Sequence, residues 1–395
     1  MRDLLKRTWA EINLDALHHN IAAFREIATH GTEIMAVVKA DAYGHGFEKT
    51  VCEMLCSGAD RFGVSNIEEA LQIRRLGIKV PILVLGYTPP EKAAELAYND
   101  VTQTVFDAGY GKKLAESAEK AGVVIKAHIK VDTGMGRLGF FYQDSGRDRE
   151  TVSQIASVCA LPSFYAEGIF THFAKADEEG GETFTKCQFD LFSDITERLR
   201  AEGVSFKIRH CCNSAASLRF PEMHLDMVRP GIILYGLYPS ACGERIKPFK
   251  PVLELKTVVS MLKNVPEGTP VSYGGAAVTD KGCVLATLPI GYADGYPRLL
   301  SNKADMLVNG KRCKILGRVC MDQTVIDTSG AKDVKDGGTV TVLGKEGDEI
   351  ITAEELARKA GLINYEIACA ISKRVPRAYI KNGKIEDVVD YIQEM

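Results

Sequence analysis

From about residue 30, short runs of β-branched and aliphatic residues alternate with stretches whose apolar positions recur every three or four residues. The runs are 34–39, 61–65, 81–86, 102–107, 124–132, 165–172, 208–213 and 227–229. Each is long enough for one buried strand. The segments between them, such as 91–98, 109–121 and 183–202, have helical spacing. Ahead of the first run, Leu17, Ile21, Phe24 and Ala28 share one helix face, with Asp15 as the expected N-cap. Eight strand–helix alternations in about 240 residues predict an α/β fold, a (β/α)8 TIM barrel. An open doubly wound sheet is the competing arrangement. The polar residues favour the barrel. Lys39, Asp132, His172, Ser214 and Arg229 each fall at or just past the end of a run. In a barrel those ends converge on one mouth, where chemistry is done.

After about residue 245 the rhythm changes. Runs at 252–261, 271–272, 283–289, 305–308, 311–316 and 338–343 are short and broken by Gly, Asn and Asp. Asn309-Gly310 supplies both positive-φ positions of a tight hairpin. One helix is expected at about 352–360, with Thr352 capping ahead of Glu355. A final hairpin spans 379–385, turning at Asn382-Gly383. The expected division is a barrel over residues 1–245 and a mostly β C-terminal domain over 246–395, with residues 1–12 set aside to pair with the latter.

Composition narrows the partners. A net charge of -3 and 26% charged residues give no basis for a nucleic-acid or membrane partner. The longest apolar runs, such as 232–237, fall far short of a bilayer span. The first residues carry charge without a long apolar core, so no signal peptide is expected. The 11 cysteines include no CxxC pair, which suggests a reducing cytoplasm and a packing role for nearly all of them. No His/Cys/Asp cluster has metal-ligand spacing, and no metal is expected.

The chemistry begins at residues 37–46. A lysine directly after a buried strand costs several kcal/mol if unpaired. It is either paired with a carboxylate or a Schiff-base lysine, whose desolvated amine attacks an aldehyde. The hydroxyl of Tyr43, and Gly44 and Gly46 as points of close backbone approach to a ligand, favour the second. Residues 213–216 and 229–232 follow the seventh and eighth runs, the corner of a barrel that commonly binds phosphate. Lys39 beside that corner suits a phosphorylated aldehyde cofactor. Residues 134–139 spell GxGxxG, but the residues after them read as loop and not helix, which argues against a dinucleotide site. His18, His19, His30 and His224 are expected on the surface, His45 in a loop, and His128 inside the barrel.

Nine segments in order carry a resemblance: AVVKADAYGHG (36–46), HIKVDTGMGRLGF (128–140), GIFTHFAKAD (168–177), HCCNSAASLR (210–219), MVRPGI (227–232), VSYGG (271–275), PIGYADGYPR (289–298), GRVCMDQ (317–323) and INYEI (363–367). Over essentially the whole chain the sequence resembles the bacterial alanine racemases, fold-type III enzymes that use pyridoxal 5'-phosphate (PLP). The resemblance implies that Lys39 carries PLP and that Tyr43, Ser214, Gly231, Ile232 and Tyr365 hold its phosphate. Arg229 faces the pyridine nitrogen. Arg137 touches the phenolic oxygen, steadied by Lys130, which is often carbamylated in this family. His172 links Arg229 to a second base, Tyr273, which comes from the partner subunit with Tyr292, Met321 and Asp322. The substrate carboxylate meets the Met321 backbone and Arg137.

The implied function is interconversion of L- and D-alanine by a cytoplasmic homodimer, supplying D-alanine for peptidoglycan. Its chemistry is sound. Two bases on opposite faces remove and return the α-proton. Arginine cannot accept a proton, so the pyridine nitrogen should stay unprotonated and transamination should be suppressed. A racemase for serine or several amino acids is the nearest rival. A PLP decarboxylase of the same fold type would pair that nitrogen with a carboxylate, and Arg229 argues against it. VSYGG and GRVCMDQ argue against a non-catalytic PLP carrier.

Overall fold

The computed structural model describes residues 7–239 and 248–393. The first strand, β1 (Thr8–Asn13), leads into a helix over Leu14–Ile27. Strands β2 (Glu33–Val37), β3 (Arg61–Val64), β4 (Ile82–Val84), β5 (Val101–Val105) and β6 (Ile125–Asp132) follow. A two-residue strand, β7 (Phe140–Phe141), lies beside β6, and β8 (Phe164–Phe170), β9 (Ile208–His210) and β10 (Met227–Val228) complete the series. Leaving β7 aside, the strands pair in parallel in the order β10-β2-β3-β4-β5-β6-β8-β9. The ring closes through a parallel bridge between Asn213 and Arg229, where the Arg229 N–H donates to the Cys212 carbonyl at 3.0 Å. All eight expected runs form barrel strands. Most of their residues are buried on both faces because helices cover the outside, with Lys126, Tyr165 and Arg209 as exposed exceptions.

The first helix is capped by Asn13, not Asp15. Asn13 has the extended backbone a cap needs, and its side chain accepts from the Ala16 N–H at 2.9 Å. Asp15 lies in the first turn, where a carboxylate suits the helix dipole. Thr352 caps its helix as expected, accepting from the Glu355 N–H at 3.1 Å.

The remaining strands are β11 (Leu253–Val258), β12 (Met261–Val265), β13 (Pro270–Val271), β14 (Ala277–Val278), β15 (Cys283–Leu288), β16 (Asp305–Val308), β17 (Lys311–Lys314), β18 (Thr324–Asp327), β19 (Thr339–Glu346), β20 (Glu349–Ile351), β21 (Arg377–Lys381) and β22 (Lys384–Val389). The main sheet has the order β17-β16-β19-β11-β1-β21-β22, with β20 on β19. The run read as 252–261 breaks near Ser260, so β11 joins the main sheet and β12 joins a small sheet with β15 and β18. β1 runs antiparallel to β11 and parallel to β21. The first described strand therefore lies in the C-terminal sheet, ahead of the barrel. The expected boundary at 245/246, and residues 1–6, lie outside the described residues.

One surface expectation fails, and the packing expectation for the cysteines holds only in part. His224 is buried, with Nε2 on the Ser217 carbonyl at 2.9 Å and Nδ1 beside Thr29. Cys52, Cys56, Cys187 and Cys369 are exposed, whereas Cys211, Cys212, Cys283 and Cys313 are buried. Among the described residues, no helix is long and apolar enough to cross a membrane.

Candidate active site

A cavity of ≈ 370 Å³ opens at the carboxyl ends of the barrel strands. Its walls include Lys39, Tyr43, Lys130, Arg137, His172, Ser214, Arg229, Gly231, Ile232 and Tyr365. Ten of the residues singled out from the sequence are thus brought to one place by one chain.

Lys39 reaches it through an uncommon backbone. Ala40, Asp41, Ala42 and Tyr43 all have φ between 52° and 55°, a left-handed turn built without glycine. Each such residue costs about 1–2 kcal/mol, so surrounding contacts must hold the turn. The Ala40 N–H donates to Glu69 Oε1 at 2.8 Å. Tyr391 Oη donates to the Asp41 carboxylate at 3.1 Å. The buried Arg377 guanidinium donates to the Gly44 carbonyl at 3.0 and 3.2 Å. A Cβ on Gly44 would lie 2.1 Å from the Ala368 carbonyl oxygen, and one on Gly46 would lie 1.9 Å from Tyr379 Oη. These glycines admit the C-terminal domain and not a ligand, which corrects the sequence reading. Burial pushes the Lys39 amine below its usual pKa, and Arg137 adds to the effect.

Arg229 anchors a chain of buried groups through the barrel interior. It donates to His210 Nδ1 at 2.8 Å, His172 Nδ1 at 3.3 Å, and the carbonyls of Thr171 and Cys211 at 2.8 and 3.0 Å. Arginine is a donor throughout, so both Nδ1 atoms accept. His210 must then carry its proton on Nε2, 2.8 Å from His128 Nδ1. His128 in turn presents an Nε2 proton to Glu167, 3.3 Å away. Glu167 also receives Arg61, whose Nε bonds Glu33 at 2.5 Å. The ends of the chain thus fix both tautomers. Burial depresses all three histidines, with Arg229 adding to the effect, so they are neutral. The hydrogen bond from His128 holds Glu167 down at about 2. Burial lowers even Arg229, to about 10. His210 had no role in the sequence reading; it lies within the run at 208–213 and ends β9, as Arg229 follows β10.

Lys130 is buried and lowered to about 8, first by burial and then by Arg137. Among the described contacts it makes no hydrogen bond to Arg137. As two cations they oppose each other, and the expected steadying is not made by the free amine. The Arg137 loop is shaped by Asp132, whose Oδ1 accepts the amides of Gly134, Met135 and Gly136 at 2.8–3.0 Å. Those amides are occupied, and β7 follows instead of a helix, so 134–139 is no dinucleotide cradle.

Tyr273, Tyr292, Met321 and Asp322 do not line this cavity. They cluster on the C-terminal domain, with Tyr273 70% exposed, Met321 53% and Tyr292 43%. Tyr273, Met321 and Asp322 border one depression. The Tyr292 and Ala293 amides donate to the Cys320 and Met321 carbonyls at 3.0 Å. Arg374 pairs with Asp322 at 2.9 Å.

The family description "Alanine racemase, N-terminal domain" matches residues 12–239, and "Alanine racemase, C-terminal domain" matches 252–379. The chain belongs to the alanine racemase family. An alanine racemase from Desulforamulus reducens is 46% identical, covering 94% of this chain and 98% of that protein. The Bacillus anthracis alanine racemase structure with bound L-Ala-P superposes with a TM-score of 0.91 at 40% identity, covering 98% of each chain. A histidine racemase from Leuconostoc mesenteroides superposes at 0.85 and 32% identity, covering 95% of this chain and 98% of that one. The alanine racemase matches span both halves of the site, with Lys39 to Ile232 in the first and Tyr273 to Tyr365 in the second.

Proposed function

We propose that the protein is a PLP-dependent alanine racemase that works as a homodimer with shared sites. The observation that carries the reading is a desolvated Lys39 in a cavity that also gathers Tyr43, Ser214, Gly231, Ile232, Tyr365 and Arg229. These residues fit PLP. A lowered lysine pKa favours the neutral amine that an aldehyde needs. Gly231 leaves open a space that a Cβ would fill, 2.5 Å from Tyr43 Oη, and Ser214 Oγ braces the Gly231 N–H at 2.8 Å. Tyr43, Ser214, Tyr365 and the backbone at Gly231 and Ile232 would hold the phosphate, and Arg229 the pyridine nitrogen. Bound there, PLP supplies an electron sink for negative charge at the substrate Cα.

The chain's own residues handle the protons. Lys39 and Tyr273 serve opposite faces of the substrate, one removing the α-proton and the other returning one. His172 accepts from Arg229 at Nδ1, which leaves its Nε2 proton to donate to the Tyr273 oxygen and orient it. Arg137 and the Met321 backbone receive the substrate carboxylate. Tyr292 and Asp322 complete the wall. Tyr273 is exposed and lies outside the Lys39 cavity, so a second copy supplies it, giving a two-fold dimer. A carbamate on Lys130 would replace its repulsion of Arg137 with an ion pair. The proposed domain division is 1–245 and 246–395, with β1 near the start of the first part lent to the sheet of the second, and the proposed role is cytoplasmic supply of D-alanine for peptidoglycan.

Chiral chromatography after incubation with L-alanine, and separately L-serine, with and without PLP, tests the reading. The expected result is PLP-dependent D-alanine in excess of D-serine. Faster D-serine would move the substrate, and no D-product from a protein that binds PLP at Lys39 would refute racemisation.

A further inference from the structure

Tyr273 sits on an exposed rim, so burial does not set its direction. The residue before it is the unusual one. Ser272 has φ 64° and ψ -177°, a region occupied essentially by glycine. A non-glycine residue stays there only where its surroundings over-determine the conformation. Around Ser272 they do. Its hydroxyl donates to the Arg318 carbonyl at 2.7 Å. Its carbonyl accepts from the Gly275 N–H at 3.1 Å. Gly317, at φ 81°, passes directly against it, and a Cβ there would meet Ser272 Cβ at 2.5 Å. Gly317 is itself held by Asn302 Oδ1 at 2.6 Å. The loop that Ser272 grips, 317–322, runs on to Met321 and Asp322.

We infer that Ser272 is a positioning residue for racemisation. Its strained backbone and its hydroxyl lock the Tyr273 loop to the 317–322 loop. The phenol, Met321 and Asp322 therefore reach the barrel of a second copy as one rigid unit. A glycine would adopt the same dihedrals without strain, but it would supply no hydroxyl and would leave Tyr273 free to swing. The inference rests on the reading of Tyr273 as the second base.

Ser272→Ala and Ser272→Gly separate the two contributions. Alanine keeps the strain and loses the bond to Arg318, while glycine loses both. The measurements are the thermal midpoint, kcat and KM, and the α-deuterium isotope effect in each direction of racemisation, in holoenzyme. The glycine variant is expected to be at least as stable as the alanine variant. Both should lose roughly ten- to a hundredfold in kcat, the scale of a misplaced reacting group. KM should stay within about twofold. The isotope effect should rise in one direction alone, the one in which Tyr273→Phe raises it. Wild-type kcat in the glycine variant, or a kcat loss that follows stability with isotope effects unchanged in both directions, would overturn the proposal. If Tyr273→Phe itself leaves rate and isotope effects unaltered, the second-base reading fails first and takes this inference with it.

Discussion

The Lys39 turn and the Tyr273 loop are both strained, and they are held in opposite ways. The first is four left-handed residues wedged between the barrel and the C-terminal domain, with Glu69, Arg377 and Tyr391 bracing it from three elements. The second is a single glycine-like serine on an open surface, held by its hydroxyl, its carbonyl and one glycine crossing. The Lys39 cavity is lined by residues of one chain, whereas Tyr273, Met321 and Asp322 border a separate, open depression on the C-terminal domain. On the proposed reading, a cofactor site needs permanent enclosure, whereas a base lent to another copy must stay exposed until the copies meet.

That contrast is sharpest in the two bases. Lys39→Ala should lower racemisation by more than about 10⁴-fold, since it removes a base and the covalent anchor together. Tyr273→Phe should cost about 10²–10⁴-fold and leave PLP absorbance unchanged. Loss of PLP binding in the tyrosine variant would erase the distinction between the halves. Gly44→Ala should come next. Its Cβ meets the Ala368 backbone at 2.1 Å, and its φ of 81° resists a side chain. It should destabilise the fold by about 3 kcal/mol or more in urea unfolding and weaken PLP binding. Normal stability would show that the turn can relax. Arg229→Glu should raise pyruvate release from L-alanine relative to racemisation, because a carboxylate can keep the pyridine nitrogen protonated where arginine cannot. An unchanged ratio would remove that role from Arg229.

The smallest effect lies deepest in the barrel. Glu167 is held at about 2 by His128, below its unfolded value of about 4.3. Its contribution to stability is therefore complete above that unfolded value and is lost as pH falls toward 2. Glu167→Gln should lower stability at pH 8, where the ionised carboxylate contributes in full, and flatten the profile between about pH 5 and 2, so that the two curves converge in acid. An acid limb equal to wild type would mean that the His128–His210 chain is not anchored there.

Much of this was legible in the sequence, and unevenly so. The eight barrel strands were readable because each is a buried run with a polar residue after it. The cavity residues followed, since strand ends meet at one mouth. The left-handed turn was not readable. Ala40, Asp41 and Ala42 have no local reason to adopt positive φ, and the cause lies more than 300 positions away, in Arg377 and Tyr391. Gly44 and Gly46 were seen but assigned to a ligand, because a glycine marks close approach without saying of what. His210 and Glu167 were passed over because inward-facing polar groups acquire partners only when the barrel closes. β18 escaped notice.

The central claim is that each active site takes Lys39 from one chain and Tyr273 from another. Mixing inactive Lys39→Ala with inactive Tyr273→Ala subunits tests it most directly. Hybrid dimers would hold one intact site of two, so free exchange should restore about a quarter of wild-type activity. No recovery, with exchange demonstrated by a mass-labelled subunit, would contradict the shared site.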